Sequence, residues 1–230
     1  MILLVGNIKG GTGKSTVAQT LAVILRMLGF DVLLIDADPQ LTSSDWAAER
    51  VSFIEAGGKG VSVPCAILRG EISTPLNDFK KRYDHIIIDV GASDSVALRH
   101  SMAVADYMVL PFRPKRRDLK TLPKVVEVVN LAQALNPGLK VRALVNQCPS
   151  LPNRVSRILT AKDTIRAWGI PTLDNVLFDR QAYDDADEDG SSVWEFTDPK
   201  AIEDATAMVH ELWANEPSIH AALQRVGAQA

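Results

Sequence analysis

The chain has 230 residues, of which 47% are apolar and 23% are charged. This balance is typical of a well-packed globular domain and excludes collagen-like, coiled-coil and low-complexity proteins. The two cysteines, Cys65 and Cys148, exclude a disulfide framework and a multi-cysteine zinc or iron–sulfur site within one chain. No run reaches the ~18 uninterrupted apolar residues that span a bilayer. We therefore expect a cytoplasmic protein without stable membrane association.

The formal net charge of -3 conceals a strong segregation of charge along the chain. Residues 1–109 contain 10 basic and 12 acidic side chains, for a net charge of -2. Residues 110–170 contain 12 basic and 3 acidic side chains, for a net charge of +9, whereas residues 171–230 contain 3 and 13, for -10. The basic segment predicts a surface for a polyanion, although such charge runs are also common on ordinary solvated faces.

Short apolar runs rich in β-branched residues alternate with helical patterns along the whole chain. We predict strands at Ile2–Val5, Val32–Asp36, Val61–Ala66, His85–Asp89, Tyr107–Pro111, Val141–Asn146 and Leu173–Phe178. We predict helices at Ser15–Leu28, Leu41–Val51, Val96–Val104, Leu119–Leu135 and Val155–Trp168. The alternation indicates a single α/β domain, residues 1–230, with a doubly wound, mainly parallel sheet and helices on both faces. Residues 216–230 form either a short helix or a frayed tail.

A glycine-rich phosphate-binding loop is predicted directly after the first strand. Its sequence is Asn7-Ile8-Lys9-Gly10-Gly11-Thr12-Gly13-Lys14-Ser15-Thr16, which has the deviant Walker A form Lys-Gly-Gly-x-Gly-Lys-[Ser/Thr]. Backbone N–H groups of the glycines close around phosphate oxygens, and the following helix adds the positive end of its dipole. We expect Lys14 to contact the β- and γ-phosphates, Ser15 to bind Mg²⁺ and Thr16 to reach the α-phosphate.

Two further strand ends deliver carboxylates to the edge of the sheet where open α/β folds bind their ligands. The second strand ends in Asp36-Ala37-Asp38-Pro39-Gln40, and the fourth strand ends in Asp89 after three isoleucines. We expect Asp38 to position or activate an attacking water and to contribute to the Mg²⁺ site. Asp36 orients that water or supports the Mg²⁺ shell. Asp89 has the Walker B position and binds Mg²⁺, usually through water, and Gly91 supplies a flexible switch.

These three motifs, in this order and spacing, resemble the ParA/MinD family of deviant Walker A ATPases. The segment Leu110–Pro114 followed by Asp118, and the stretch from Arg180 to Glu195, are similar to small plasmid ParA proteins of the ParF type. The resemblance implies an Mg²⁺-dependent ATPase that forms a homodimer when it binds ATP. In that dimer Lys9 contacts the partner's nucleotide and neutralises charge on the transferred phosphoryl group. It also implies that Asn146 contacts the adenine base.

The resemblance further implies macromolecular partners and a cargo. The ATP-bound dimer binds DNA without sequence preference, which places it on the nucleoid, and a ParB-like or other small adaptor protein stimulates hydrolysis. The cargo is a plasmid or chromosome, or alternatively a protein body or a conjugation complex. The basic segment offers four DNA contacts at spacings that share roughly one helix face: Arg154, Arg157, Lys162 and Arg166.

Two other classes of protein remain as alternatives. A MinD-like membrane-cycling ATPase needs a basic amphipathic helix at the C-terminus, and Arg225 is the single strong cation after Glu216. A metabolic P-loop enzyme needs a small-substrate site, and the sequence contains no distinct constellation for one. Lys9 favours a dimeric switch over the metabolic enzyme. The cluster at residues 113–117 is more basic than the corresponding loop of the family, and the resemblance implies no role for it.

Overall fold

The computed structural model describes residues 1–92, 95–195 and 198–227. The strands are β1 Ile2–Val5, β2 Val32–Ala37, β3 Cys65–Ile67, β4 His85–Val90, β5 Tyr107–Phe112, β6 Lys140–Cys148 and β7 Thr172–Phe178. The helices are α1 Lys14–Met27, α2 Thr42–Glu55, α3 Ser73–Phe79, α4 Val96–Val104, α5 Arg116–Leu119, α6 Leu122–Leu135, α7 Val155–Ala167, α8 Gln181–Asp187, α9 Pro199–Leu212 and α10 Pro217–Gly227. Short 3₁₀ turns occupy Pro152–Arg154 and Val193–Glu195.

The seven strands form one parallel sheet in the order β3-β2-β4-β1-β5-β6-β7. Strands β1, β2 and β4 are buried along their whole length, as expected for parallel strands covered on both faces. One apolar cluster joins α1, α9 and α10 to one face, and a second joins α4, α6 and α7 to the other. The predicted doubly wound α/β architecture is confirmed.

Strand β1 lies at the centre of the sheet, between β4 and β5. Strand β2 pairs with the other side of β4, and Asp36 stands in register with Asp89. All strands run parallel, so the segments that follow β1, β2, β4 and β5 emerge at one edge. The phosphate loop and the two aspartate-bearing strand ends therefore meet at that edge.

The structure corrects two predicted elements. The helix expected over 119–135 begins three residues later, at Leu122 with Pro123 in its first turn, and a separate short helix, α5, ends at Leu119. The third strand begins at Cys65 rather than Val61, since Pro64 lacks the N–H that a sheet ladder needs.

The C-terminal segment is a helix, α10, rather than a frayed tail, as far as residue 227; residues 228–230 lie outside the described part of the chain. Its apolar residues Ile219, Ala222 and Leu223 are buried in the core. None of the helices in the described ranges has both the length and the apolar character needed to cross a membrane.

Candidate functional site

The loop between β1 and α1 follows a path that only glycine adopts easily. Gly11 and Gly13 have φ values of 68° and 81°, in the left-handed region that side chains disfavour. A Cβ atom on Gly13 would lie 2.3 Å from Nδ2 of Asn146, so the backbone approaches that side chain closely. Helix α1 begins directly afterwards, at Lys14. The loop therefore presents backbone N–H groups and a helix N-terminus to one point, which suits a phosphate group.

Two asparagines hold the ends of this loop. Asn7 is 1% exposed; its Nδ2 donates to the Pro111 carbonyl at 2.8 Å, and its Oδ1 accepts from the Lys9 N–H at 3.1 Å. Asn146, at the end of β6, donates from Nδ2 to the Thr12 carbonyl at 2.8 Å. Sequence reasoning selected Asn146 but not Asn7, although Asn7 is the first polar residue after β1 and stands at the start of the loop, which was a signal that could have been followed.

Asp89 is a fully buried carboxylate beside the loop, with 0% exposure. Its Oδ2 accepts a hydrogen bond from Ser43 Oγ at 2.8 Å, and the Ser15 side chain also hydrogen-bonds to it. Burial raises the pKa of Asp89 to about 6, while the two serines and the nearby Lys14 ammonium oppose that rise. Burial also lowers the pKa of Lys14. Ser43 lies on α2 and was not among the predicted site residues.

The residues at this edge fit an Mg²⁺ ion that is shared with a nucleotide. Asp89 Oδ1 is buried without a hydrogen-bond partner, so one carboxylate oxygen is left to accept from a metal-bound water. No group of three or more acidic, histidine or cysteine side chains in the described part of the chain forms a metal cluster. Mg²⁺ commonly takes one or two protein ligands and completes its coordination shell with water and phosphate oxygens. Ser15 and Asp89 can supply those protein contacts, and water and the nucleotide would supply the rest.

Asp36 and Asp38 have different environments. Both oxygens of Asp36, which is fully buried, accept backbone hydrogen bonds, from the N–H of Asp38 at 2.9 Å and of Ser44 at 2.8 Å. The Asp38 carboxylate lies instead against Gly91 after β4, where an added Cβ would be 3.0 Å from its Oδ1. Asp36 thus fixes the loop, and Asp38 is the carboxylate presented toward the end of β4.

A cleft beside the phosphate loop lies between the ends of β6 and β7. Asn146 and the first turn of α1 form one wall, and α8 with the end of β7 forms the other. The lining residues include Gly13, Thr16, Asn146, Phe178, Asp179 and Tyr183. Carbonyl, amide and carboxylate groups beside an aromatic ring suit a planar heterocycle with exocyclic N–H donors.

The four predicted DNA contacts do not share one helix face. Lys162 is 9% exposed, and its Nζ donates to the Asp174 carbonyl, so it is not a surface cation. Arg157 and Arg166 are exposed but nine residues apart, about two and a half turns, which places them on opposite sides of α7. Arg166 also pairs with Asp174 at 3.2 Å. Of the predicted set, Arg154 and Arg157 remain together at the N-terminal end of α7, both exposed.

The unexplained basic cluster divides into one anchored and three exposed cations. Arg113 Nε and Nη2 donate to the buried carboxylate of Asp118, at 2.5 and 3.1 Å, and this pairing raises the pKa of Arg113. The same guanidinium lies 3.6 Å from the position of a Cβ on Gly11, beside the phosphate loop. Lys115, Arg116 and Arg117 are exposed.

A parallel sheet with a glycine-rich loop after its central strand, and carboxylates at the two strand ends beside it, defines a P-loop nucleotide-binding protein. Residues 3–193 match the family model of the CobQ/CobB/MinD/ParA nucleotide binding domain, and the chain belongs to this family. The resemblance predicted from the motifs is confirmed.

The chain is similar to proteins named for carboxysome distribution and for septum-site determination. The "Maintenance of carboxysome distribution protein A" of Gloeobacter kilaueensis is 32% identical, over 88% of this chain and 88% of the relative. The protein of the same name in Halothiobacillus neapolitanus is 27% identical, over 84% and 86%. The structure of the septum site-determining protein MinD from Pyrococcus horikoshii, complexed with Mg-ADP, has a TM-score of 0.69 at 20% identity and covers 92% of this chain and 95% of its own. At this identity the structural match supports the fold.

Proposed function

We propose that the protein is an Mg²⁺-dependent ATPase that dimerises on ATP and uses partner-stimulated hydrolysis to position a cargo. The observation that carries the proposal is the contrast between two lysines of one phosphate loop. Lys14 is 7% exposed and lies near Asp89 and Asp38. Lys9 is half-buried, and none of the ion pairs between described residues includes its ammonium. A second lysine without an acidic partner among the described residues fits a contact made across a dimer interface.

Each residue of the site has a separate role in binding ATP, binding Mg²⁺ or hydrolysis. The loop N–H groups and Lys14 bind the β- and γ-phosphates, and Thr16 reaches the α-phosphate. Ser15 and Asp89 hold Mg²⁺, which when bound neutralises charge on the phosphate oxygens. Asp38 orients the attacking water, and Asp36 is a positioning residue because it fixes the Asp38 loop through two backbone N–H groups. Asn146 contacts the base in the cleft beside α1.

Non-specific DNA binding is supported by the distribution of exposed cations. Seven of the twelve basic residues in the basic segment are exposed on α5, the start of α6 and the start of α7: Lys115, Arg116, Arg117, Lys120, Lys124, Arg154 and Arg157. Such contacts bind phosphate groups without reading sequence. Association with the nucleoid in the ATP-bound state follows from this proposal.

The cargo that the comparisons favour is a protein body. Both relatives described above are named for carboxysome distribution, which supports the alternative of a protein cargo over plasmid or chromosome partition. A MinD-like membrane cycle is less favoured, because Ile219, Ala222 and Leu223 of α10 are packed in the core rather than available to a lipid surface. The adaptor that stimulates hydrolysis is then a partner of the protein cargo rather than a ParB-like plasmid protein.

The first test concerns Lys9. We expect Lys9→Ala to leave ATP binding to the monomer nearly unchanged and to suppress ATP-dependent dimerisation and turnover, because the side chain acts on the partner's nucleotide. Light scattering with a slowly hydrolysed ATP analogue measures the dimer, and calorimetry measures nucleotide affinity. Lys59→Ala, which removes an exposed lysine far from the loop in sequence, is the control. A Lys9→Ala protein that dimerises like the parent would contradict the in-trans role.

The second test concerns DNA. We expect the double variant Arg117→Glu/Arg154→Glu to weaken binding to a non-specific duplex about tenfold or more, because each reversal removes a phosphate contact and adds repulsion. ATP should tighten binding and steepen its salt dependence, since a dimer doubles the number of contacts. Lys59→Glu/Lys200→Glu carries the same charge change at exposed lysines outside the basic segment. Equal affinity with ATP and ADP, or equal losses in both double variants, would reject this DNA surface.

A further inference from the structure

A groove of about 900 Å³ runs between α5 and α7, on the side of the sheet that carries the basic segment. One wall is the stretch from Pro114 through α5 to the start of α6, and the other is one side of α7. Its lining residues are Pro114, Lys115, Arg116, Leu119, Lys120, Pro123, Ser156, Arg157, Thr160, Ala161, Thr164 and Trp168. The groove is separate from the nucleotide cleft, which is lined by other residues.

The groove combines an apolar lining with a cationic rim. Leu119, Ala161 and the two prolines contribute apolar surface, and Trp168 at one end is 45% exposed. The cations are Lys115, Arg116, Lys120 and Arg157, all exposed.

None of the described residues that line the groove is acidic. The two carboxylates nearest in sequence to the lining residues do not enter the groove. Asp118 of α5 is buried and paired with Arg113, and Asp163 of α7 is exposed but does not line the groove. The cations on the rim therefore have no carboxylate among their neighbours in the groove, and the surface is open to an acidic ligand.

We propose that this groove docks an acidic, amphipathic segment of a partner protein. A DNA backbone needs cations but gains nothing from an apolar floor. A peptide helix or strand with apolar residues on one side and carboxylates at its margins matches both parts of the groove, as in other helix-in-groove complexes. The exposed indole of Trp168 and the aliphatic part of Arg157 are the kinds of side chain that anchor such contacts.

The position of the groove also connects it to the phosphate loop. Helix α5 carries Asp118, whose carboxylate holds Arg113, and the Arg113 guanidinium lies beside Gly11. A segment that docks against α5 thus contacts the element that fixes a cation next to the nucleotide site. This connection rests on the proposed function, whereas docking itself does not require ATP.

The experiment uses the full chain and a synthetic probe. The probe is a 16-residue amphipathic peptide with leucines at i, i+3, i+4 and i+7, glutamates beside that face and alanines elsewhere to favour a helix; its lysine-for-glutamate analogue is the control peptide. Trp168 is the reporter, since the other tryptophans are buried or half-buried. We expect a saturable change in tryptophan fluorescence with the acidic peptide and no change with the basic peptide. A Trp168→Phe protein should show no fluorescence change with either peptide, so calorimetry measures peptide binding to that variant.

Two sets of variants separate charge from shape. We expect Lys120→Glu/Arg157→Glu to weaken peptide binding about tenfold or more, while Arg117→Glu/Lys124→Glu, with the same charge change outside the groove, has a much smaller effect. Thr160→Phe should weaken binding by filling the groove without changing its charge. Thr160 is exposed, so the fold is expected to survive, and circular dichroism and thermal melting check this.

The outcomes distinguish the possible occupants. Saturable binding that both Lys120→Glu/Arg157→Glu and Thr160→Phe weaken supports the proposal, whatever the ATPase activity proves to be. Three results overturn it: no binding of the acidic peptide up to millimolar concentration, binding that Thr160→Phe leaves unchanged, or self-association of the protein that the same variants abolish. In the second case a duplex that competes with the peptide would identify the surface as a DNA contact, and in the third the occupant would be a second copy of the chain.

Discussion

Replacing Asp38 with alanine is expected to leave ATP bound and to lower the rate of hydrolysis by about 10²- to 10⁴-fold, the usual contribution of a group that positions or activates the attacking water. Binding should survive, because the Asp38 side chain lies against Gly91 and its Oδ1 accepts a hydrogen bond from the Gln40 N–H, outside the phosphate loop. Phosphate release measures turnover, and calorimetry with ATP measures affinity.

Lys14→Ala is the contrasting variant. It removes the buried ammonium of the phosphate loop, so we expect nucleotide binding itself to be lost. A third variant, Asp36→Asn, keeps one side-chain oxygen that accepts a backbone N–H and replaces the second oxygen with an amide NH₂. We expect its rate of hydrolysis to lie between the rates of the parent and of Asp38→Ala. Hydrolysis at the parent rate in Asp38→Ala would show that another group orients the water. Parent-like affinity in Lys14→Ala would contradict the phosphate site.

Most of the fold was predictable from the sequence, because buried parallel strands are nearly continuous apolar runs. The predicted β1 and α4 have the observed bounds, and the other strand predictions overlap the observed strands. Helices α3, α5, α8 and α9 were missed. Helices α3 and α8 have seven residues and α5 has four, which leaves little room for a periodic pattern. Helix α9 has fourteen residues and could have been found from Asp198 at its N-cap and Pro199 in its first turn. The start of α6 could have been predicted from Pro123, because proline favours the first turn of a helix.

The phosphate loop was predictable because its glycines and lysine are contiguous in sequence. The contacts that support it were not. Ser43 reaches Asp89 from α2, and Arg113 reaches Gly11 from the end of β5; both depend on the strand order, which juxtaposes segments distant in the chain. The opposite placement of Arg157 and Arg166 on α7, by contrast, follows from helical periodicity alone and was open to calculation.

The second large effect is expected from the ion pair between Arg50 and Glu195. Both side chains are 1% exposed, and the guanidinium donates to both carboxylate oxygens, at 2.5 and 2.9 Å. Arg50 also donates to the carbonyls of Val61 and Gly190. It thus ties α2, which follows the Asp38 loop, to the segment that leads into α9.

We expect Arg50→Met to lower the free energy of unfolding by about 3–5 kcal/mol, because it leaves the Glu195 carboxylate buried without its partner. For a chain of this size that corresponds to a fall in Tm of roughly 6–20 °C. Urea denaturation gives the free energy, and thermal melting gives Tm.

The double variant Arg50→Met/Glu195→Leu decides whether the loss comes from the stranded carboxylate. Replacing both charges removes the unpaired carboxylate, so we expect the double variant to be more stable than Arg50→Met alone. The loss of unfolding free energy in the double variant is then smaller than the sum of the losses in the two single variants, and the difference is the coupling energy of the pair. Some loss should remain, since the carbonyls of Val61 and Gly190 no longer receive the guanidinium donors. If the two single losses simply add, the pair does not act as a unit, and the stability of this junction comes from the Arg50 hydrogen bonds to the backbone instead.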